Sequence, residues 1–132
     1  MLARHDLDGK RLYVPGRPEV WLMFHGLRHH VMSPAVHSAL FANSEGHTPI
    51  DDVDAIQRGA DLNDGTFLAR GEGELAHYLI TGFPATEVRR YYIPSWEIFL
   101  GYGFGAEQVR WVPSLVLSAV PAARPLTCPT SI

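Results

Sequence analysis

Seven histidines are spread over the chain, and five of them, His25, His29, His30, His37 and His47, fall between residues 6 and 61. Imidazole is a common metal ligand, so the first question is whether these rings can meet. His25 and His29 would share a face of a continuous strand, and His37 would reach them across a strand-to-helix turn. Gly26 interrupts that strand with a hairpin, and neither Cys-x-x-Cys nor His-Glu-x-x-His spacing occurs. His25, His29 and His37 are therefore the set to watch for a metal-dependent hydrolase, which ranks third among the functional readings. The competing reading is a polar strand edge.

Aromatic side chains form a second group. Trp21, Tyr91, Tyr92, Trp96, Phe99, Tyr102, Phe104 and Trp111 supply more ring area than a small core requires. Rings with a polar tip beside arginine and carboxylate suit a sugar, whose C–H faces stack and whose hydroxyls take directed hydrogen bonds. Core packing uses the same residues. Of these rings Trp96, Tyr102 and Tyr92 are expected to be exposed, which makes Arg89, Tyr92, Trp96 and Tyr102 the primary ligand set. Trp21, Arg28 and His30 are its weaker counterparts.

The remaining constellations argue against catalysis. No Gly-x-Ser-x-Gly or P-loop is present, and Gly101-Tyr-Gly-Phe-Gly105 has the wrong spacing for a dinucleotide fingerprint. Asp61-Leu-Asn-Asp-Gly65 lacks the length and terminal glutamate of a calcium loop, so an Asx turn accounts for it better. Cys128 is the single cysteine, which excludes an internal disulfide. No cofactor is expected.

With 132 residues, 46% hydrophobic and 19% charged, the chain has the composition of a folded protein with one sizeable core. A net charge of -3 provides no basic stripe for nucleic acid. No signal-peptide core or bilayer-length apolar run occurs, so the expectation is a soluble protein without membrane insertion, cytoplasmic or trimmed from an exported precursor.

The elements that must position these groups read as two tandem units. Asp6-Leu-Asp-Gly-Lys-Arg-Leu-Tyr-Val-Pro-Gly16 is echoed by Asp61-Leu-Asn-Asp-Gly-Thr-Phe-Leu-Ala-Arg-Gly71. Leu12-Tyr-Val matches Phe67-Leu-Ala, Trp21–Gly26 matches Tyr78–Gly82, Arg28 matches Arg89, and Ala55–Leu62 matches Ala119–Leu126. Phe83–Glu87 is an insertion in the second unit. Each unit reads as short strands followed by short helices. Ser33 and Ser95 supply N-caps, with Ser114 and Asp51-Asp52 proposed for the last helices. The predicted fold is α+β and β-rich: a single domain over 1–132, repeat one about 6–61, repeat two about 62–126, and a tail 127–132.

In the second unit, Asp64-Gly65-Thr66, Tyr78-Leu-Ile, Val88-Arg-Arg, Ile93-Pro94, Gly101-Tyr-Gly, Val109, Val112-Pro113, Leu117 and Pro121 resemble a bacterial tandem repeat of the type DGTL-R…VYLI…G-RR-IP…ALGY…V-VP…VL…P. The first unit follows this pattern in outline only, with His29-His30-Val31-Met32 in place of Arg90-Tyr91-Tyr92-Ile93. The resemblance implies an extracellular or cell-surface accessory module and carries no catalytic residues. The leading expectation is thus a non-catalytic, lectin-like binding module for a carbohydrate or cell-envelope glycan. The alternative is a structural module that binds a protein surface or a second copy of itself.

Overall fold

In the computed structural model, which describes residues 2–82 and 87–128, the apolar runs of the sequence become two four-stranded sheets. The first contains β1 (Arg11–Tyr13), β2 (Val20–Phe24), β3 (Leu27–Val31) and β4 (Thr48–Pro49), in the order β3-β2-β1-β4. The second contains β5 (Phe67–Gly71), β6 (His77–Thr81), β7 (Arg89–Ile93) and β8 (Arg110–Val112), in the order β7-β6-β5-β8. In each sheet the first three strands pair antiparallel and the fourth joins the first in parallel. A parallel neighbour needs a crossover. Helix α1 (Pro34–Leu40) lies in one crossover and α2 (Trp96–Gly101) in the other. A third helix, α3 (Ser114–Ser118), follows β8.

The ladder registers align the two halves residue by residue. Trp21 faces His30 as Tyr78 faces Tyr92, and Leu12 faces Trp21 as Ala69 faces Tyr78. Arg28 therefore corresponds to Arg90 and Leu12 to Ala69, which corrects the sequence matching of Arg28 with Arg89 and Leu12 with Phe67. A one-residue slip would put the arginines on opposite faces of their sheets. Instead both reach out identically: Arg28 Nε donates to the Ile56 carbonyl and Arg90 Nε to the Val120 carbonyl, each at 2.8 Å. The chain also returns along the third strand in both halves, with the Leu62 amide donating to His30 O and the Leu126 amide to Tyr92 O. Most of the Phe83–Glu87 insertion, residues 83–86, lies outside the described residues.

One face of each sheet, with α1 and α2, contributes to a common core. Leu22, Val31, Val36, Leu40 and Leu62 of the first half pack in the same cluster as Leu79, Ile93, Ile98, Tyr102 and Leu126, their counterparts in the second. Each such side chain contributes roughly 1.5–3 kcal/mol by leaving water. The halves are also joined through the backbone at an antiparallel Phe41–Phe104 bridge, flanked by hydrogen bonds from Ala42 N to Gly103 O and Gly105 N to Leu40 O. The outer sheet faces carry smaller clusters. Val53 and Ile56 cover Leu12, Trp21 and Met23, while Leu117 of α3 covers Ala69 and Ile80.

Helix starts follow the sequence in two cases of four. Ser33 Oγ accepts from the Val36 amide and Ser95 Oγ from the Ile98 amide. Ser114 instead donates its hydroxyl proton to Glu72 O, leaving α3 without a side-chain cap. Asp52 precedes only a single 3-10 turn, Val53–Ala55, and makes no cap bond. Among the described residues no helix is long and apolar enough to cross a membrane.

Candidate functional site

Because α1 and α2 start at equivalent points, each half forms a cleft at the same place, bounded by the entry to its second strand, the end of its third and its helix N-terminus. Val20, His30, Val31, Ser33 and Pro34 line one cleft, and their counterparts His77, Tyr92, Ile93, Ser95 and Trp96 line the other. The first encloses about 700 Å³ and the second about 300 Å³.

The second-half cleft is aromatic. Trp96 is 49% exposed, yet its ring lies stacked on that of buried Phe99, with centroids 4.7 Å apart and planes 9° from parallel. Phe99 thus fixes the indole plane. The His77 ring stands 5.7 Å from Trp96, and burial, followed by the nearby Arg70 charge, lowers its pKa. Tyr92, 38% exposed, packs its ring against Tyr78 at 5.7 Å. An oriented indole, a phenol, an imidazole and the Ser95 hydroxyl therefore share one small concavity.

Polar side chains dominate the chemistry of the first-half cleft. His37 and His47 approach with their Nε2 atoms 3.2 Å apart. Arg11, buried beneath them, donates to His37 Nε2 at 3.3 Å and to the carbonyls of Asn43 and Glu45 at 2.8 and 2.6 Å. A guanidinium only donates, so His37 Nε2 must accept. Burial first, then the Arg11 charge, lowers the pKa of both histidines. Glu19 lies at the junction of this cleft with two neighbouring hollows, and its Oε2 atom is buried without a hydrogen-bond partner.

The structure sorts the residues singled out in the sequence. Tyr92 and Trp96 meet in the second cleft and His30 lines the first. Tyr102, expected at the surface, is fully buried: it closes α2, packs in the shared core and donates its hydroxyl proton to Thr127 O at 3.0 Å. Arg89 sits at the far end of β7 on the other face from Tyr92, and its guanidinium returns to the Val88 carbonyl. Trp21 and Arg28 are buried on the outer face of the first sheet, where the Arg28 guanidinium lies 4.4 Å from the Trp21 ring centroid.

The proposed metal set does not assemble. His29 turns to the core side and stacks on Phe24 at 3.6 Å, its Nδ1 2.8 Å from Ala60 O. His25 occupies the β2–β3 turn, with Nε2 2.7 Å from Pro125 O. His37 points into its cleft. Among the described residues no three histidine, cysteine or acidic side chains form a group that could hold a metal ion.

Sequence reasoning did not single out Glu19, Arg11 or His77, and it weighed His47 only among clustered histidines and beside nearby carboxylates. Glu19 follows Arg17-Pro18 at a strand entry, and Arg11 occupies a core-facing position whose second-half counterpart is Leu68. Neither location is marked by a motif. Comparison with known proteins finds no matching family model, no similar curated protein and no similar solved structure.

Proposed function

We propose that the protein is a non-catalytic binding module and that the cleft of the second half takes a carbohydrate, such as a glycan of the cell envelope. The observation that carries this reading is the Trp96 indole, held in plane by Phe99 yet 49% exposed. An open ring face of fixed orientation is suited to stacking on the C–H face of a pyranose, because little side-chain entropy is lost on binding. Tyr92, His77 and Ser95 supply hydrogen-bonding groups around it, the pattern of an apolar site with a few directed polar contacts. The equal strand order of the two halves favours descent from a duplicated unit, one copy of which kept the aromatic platform.

The test is a glycan array probed with the purified, labelled protein and with Trp96→Ala. The expected result is selective binding that the substitution abolishes while the circular dichroism spectrum is unchanged. Silence across the array, or binding unaffected by Trp96→Ala, would overturn the proposal. Assembly is the second reading, favoured by the exposure of Trp111, Leu115 and Val116 on the second half. A dimer mass in light scattering that Leu115→Ser reduces to a monomer would support it.

A further inference from the structure

The alignment of the two halves serves as an internal control, because it separates what the architecture requires from what one cleft adds. Around the second cleft the framework is built with Leu68, Ala76, Phe99, Leu100, Ala106 and Val109. At the corresponding places the first half carries Arg11, Glu19, His37, Ser38, Ser44 and His47. Six apolar residues are thus replaced by six polar or ionisable ones in one neighbourhood. Several other core positions stay apolar in both halves, as at Leu22 and Leu79 or Val31 and Ile93, although Leu68 and Phe99 themselves belong to the core. Folding alone does not call for a carboxylate at position 19 or an imidazole at position 37, since the same scaffold is made with alanine and phenylalanine.

The arrangement narrows the ligand. Glu19 presents a carboxylate with one oxygen removed from water and left without a partner, an arrangement costly to the empty protein. Arg11 does not relieve it, because its donors go to Asn43, Glu45 and His37. Arg17 is paired with Asp54 at 3.6 Å. Burial and the Arg11 charge disfavour protonation of both histidines, and with His37 Nε2 accepting from Arg11 the facing His47 Nε2 is the donor. A metal ion is a poor occupant, since Glu19, His37 and His47 do not form a three-ligand group. Val20, Val31, Met32 and the prolines at 18 and 34 line the rest of the wall.

We infer that the first-half cleft is a second binding site, distinct from the aromatic one, for a small organic ligand with a protonated amine that pairs with Glu19 and an apolar body that lies along Val20, Val31 and Met32. The ammonium supplies three donors, enough for the Glu19 carboxylate together with a serine hydroxyl in the same cleft.

The test uses n-butylammonium as probe and n-butanol as its uncharged counterpart, followed by ¹⁵N–¹H chemical shifts of the full chain at pH 7.5. Saturable shifts are expected at the amides of Glu19, Val20, His30, Val31 and His37 with butylammonium, with affinity in the millimolar range for so small a probe. Butanol should bind about tenfold more weakly or less, and so should butylammonium to Glu19→Gln, the loss of one charge-assisted hydrogen bond. Glu19→Ala, which copies Ala76, provides a variant whose fold the other half already demonstrates in kind. Absence of saturable shifts, equal response to the amine and the alcohol, or undiminished binding by both Glu19 variants would overturn the inference. Trp96→Ala should leave these shifts intact, so failure of the carbohydrate reading is distinguishable from failure here.

Discussion

His29 makes folding stability depend on pH in a way that can be worked out from its surroundings. The ring lies on Phe24 within the core side of the first sheet, and burial pushes its pKa from 6.5 down to about 4, against the pull of the Ala60 and Phe24 carbonyls, to only one of which the neutral ring can donate. Folded His29 therefore stays neutral at pH values where the unfolded chain takes up a proton. The associated stability is complete above pH 6.5 and is lost as pH falls toward about 4. At 1.36 kcal/mol per pKa unit, the full loss is about 3 kcal/mol, most of it reached by pH 4.5. His29→Phe keeps an aromatic ring on Phe24 and cannot be protonated, at a cost of about 1 kcal/mol or more at pH 7.5 for the abandoned Ala60 carbonyl. Urea unfolding at pH 7.5, 6.5, 5.5 and 4.5 compares the two proteins. Carboxylates destabilise both alike, so the difference between the curves isolates His29. The wild type should lose about 2–3 kcal/mol more than the variant between pH 7.5 and 4.5. Parallel curves would show that His29 titrates normally and that its burial has been misjudged.

Three further substitutions check the packing and the helix caps. Gly59→Ala places a methyl group into the His29 ring, and thermal unfolding should register a loss of roughly 1–3 kcal/mol. An unchanged melting temperature would mean that the return segment moves freely away from β3. Ser95→Ala removes the α2 cap and should cost about 1 kcal/mol. Ser33→Ala should cost more, because Ser33 also donates to Asp64 Oδ1 at 2.7 Å. Equal losses in urea titrations would show that the Asp64 contact contributes nothing.

Strands and helix starts were legible where the signal is local. β-Branched and aromatic runs mark Val20–Phe24 and His77–Thr81, and Ser33-Pro34 marks the start of α1, because these patterns are set by backbone geometry within a few residues. β4, only Thr48–Pro49, escaped notice, since a two-residue strand has no period to read and exists through its parallel pairing with β1. Exposure of the aromatic residues was legible only in part. Tyr92 follows from strand parity, whereas Tyr102 stands among glycines that suggest a loop, yet its burial depends on packing from both halves and on Thr127 twenty-five residues later. Arg11 and Glu19 were illegible for the same reason. A cation beneath α1 and a carboxylate at a strand entry acquire meaning only when residues of α1 and the following loop are brought beside them.

At several matched positions of the common core the two halves agree, while their clefts differ. Leu40 and Tyr102, Val36 and Ile98, and Leu62 and Leu126 occupy matching places in one core, and the Phe41–Phe104 bridge lies where the halves meet. A change at any of these positions is felt by both sheets, so the close packing restrains them to apolar residues of suitable volume. The clefts carry no such restraint. There the second half has an oriented indole, and the first has a carboxylate, two imidazoles and a buried guanidinium. A structural role alone would leave both clefts free to collect ordinary surface residues, and it does not account for an unpaired buried carboxylate oxygen in one or a supported yet exposed tryptophan in the other. Both features cost stability or solubility, and both belong to the clefts proposed above as binding sites.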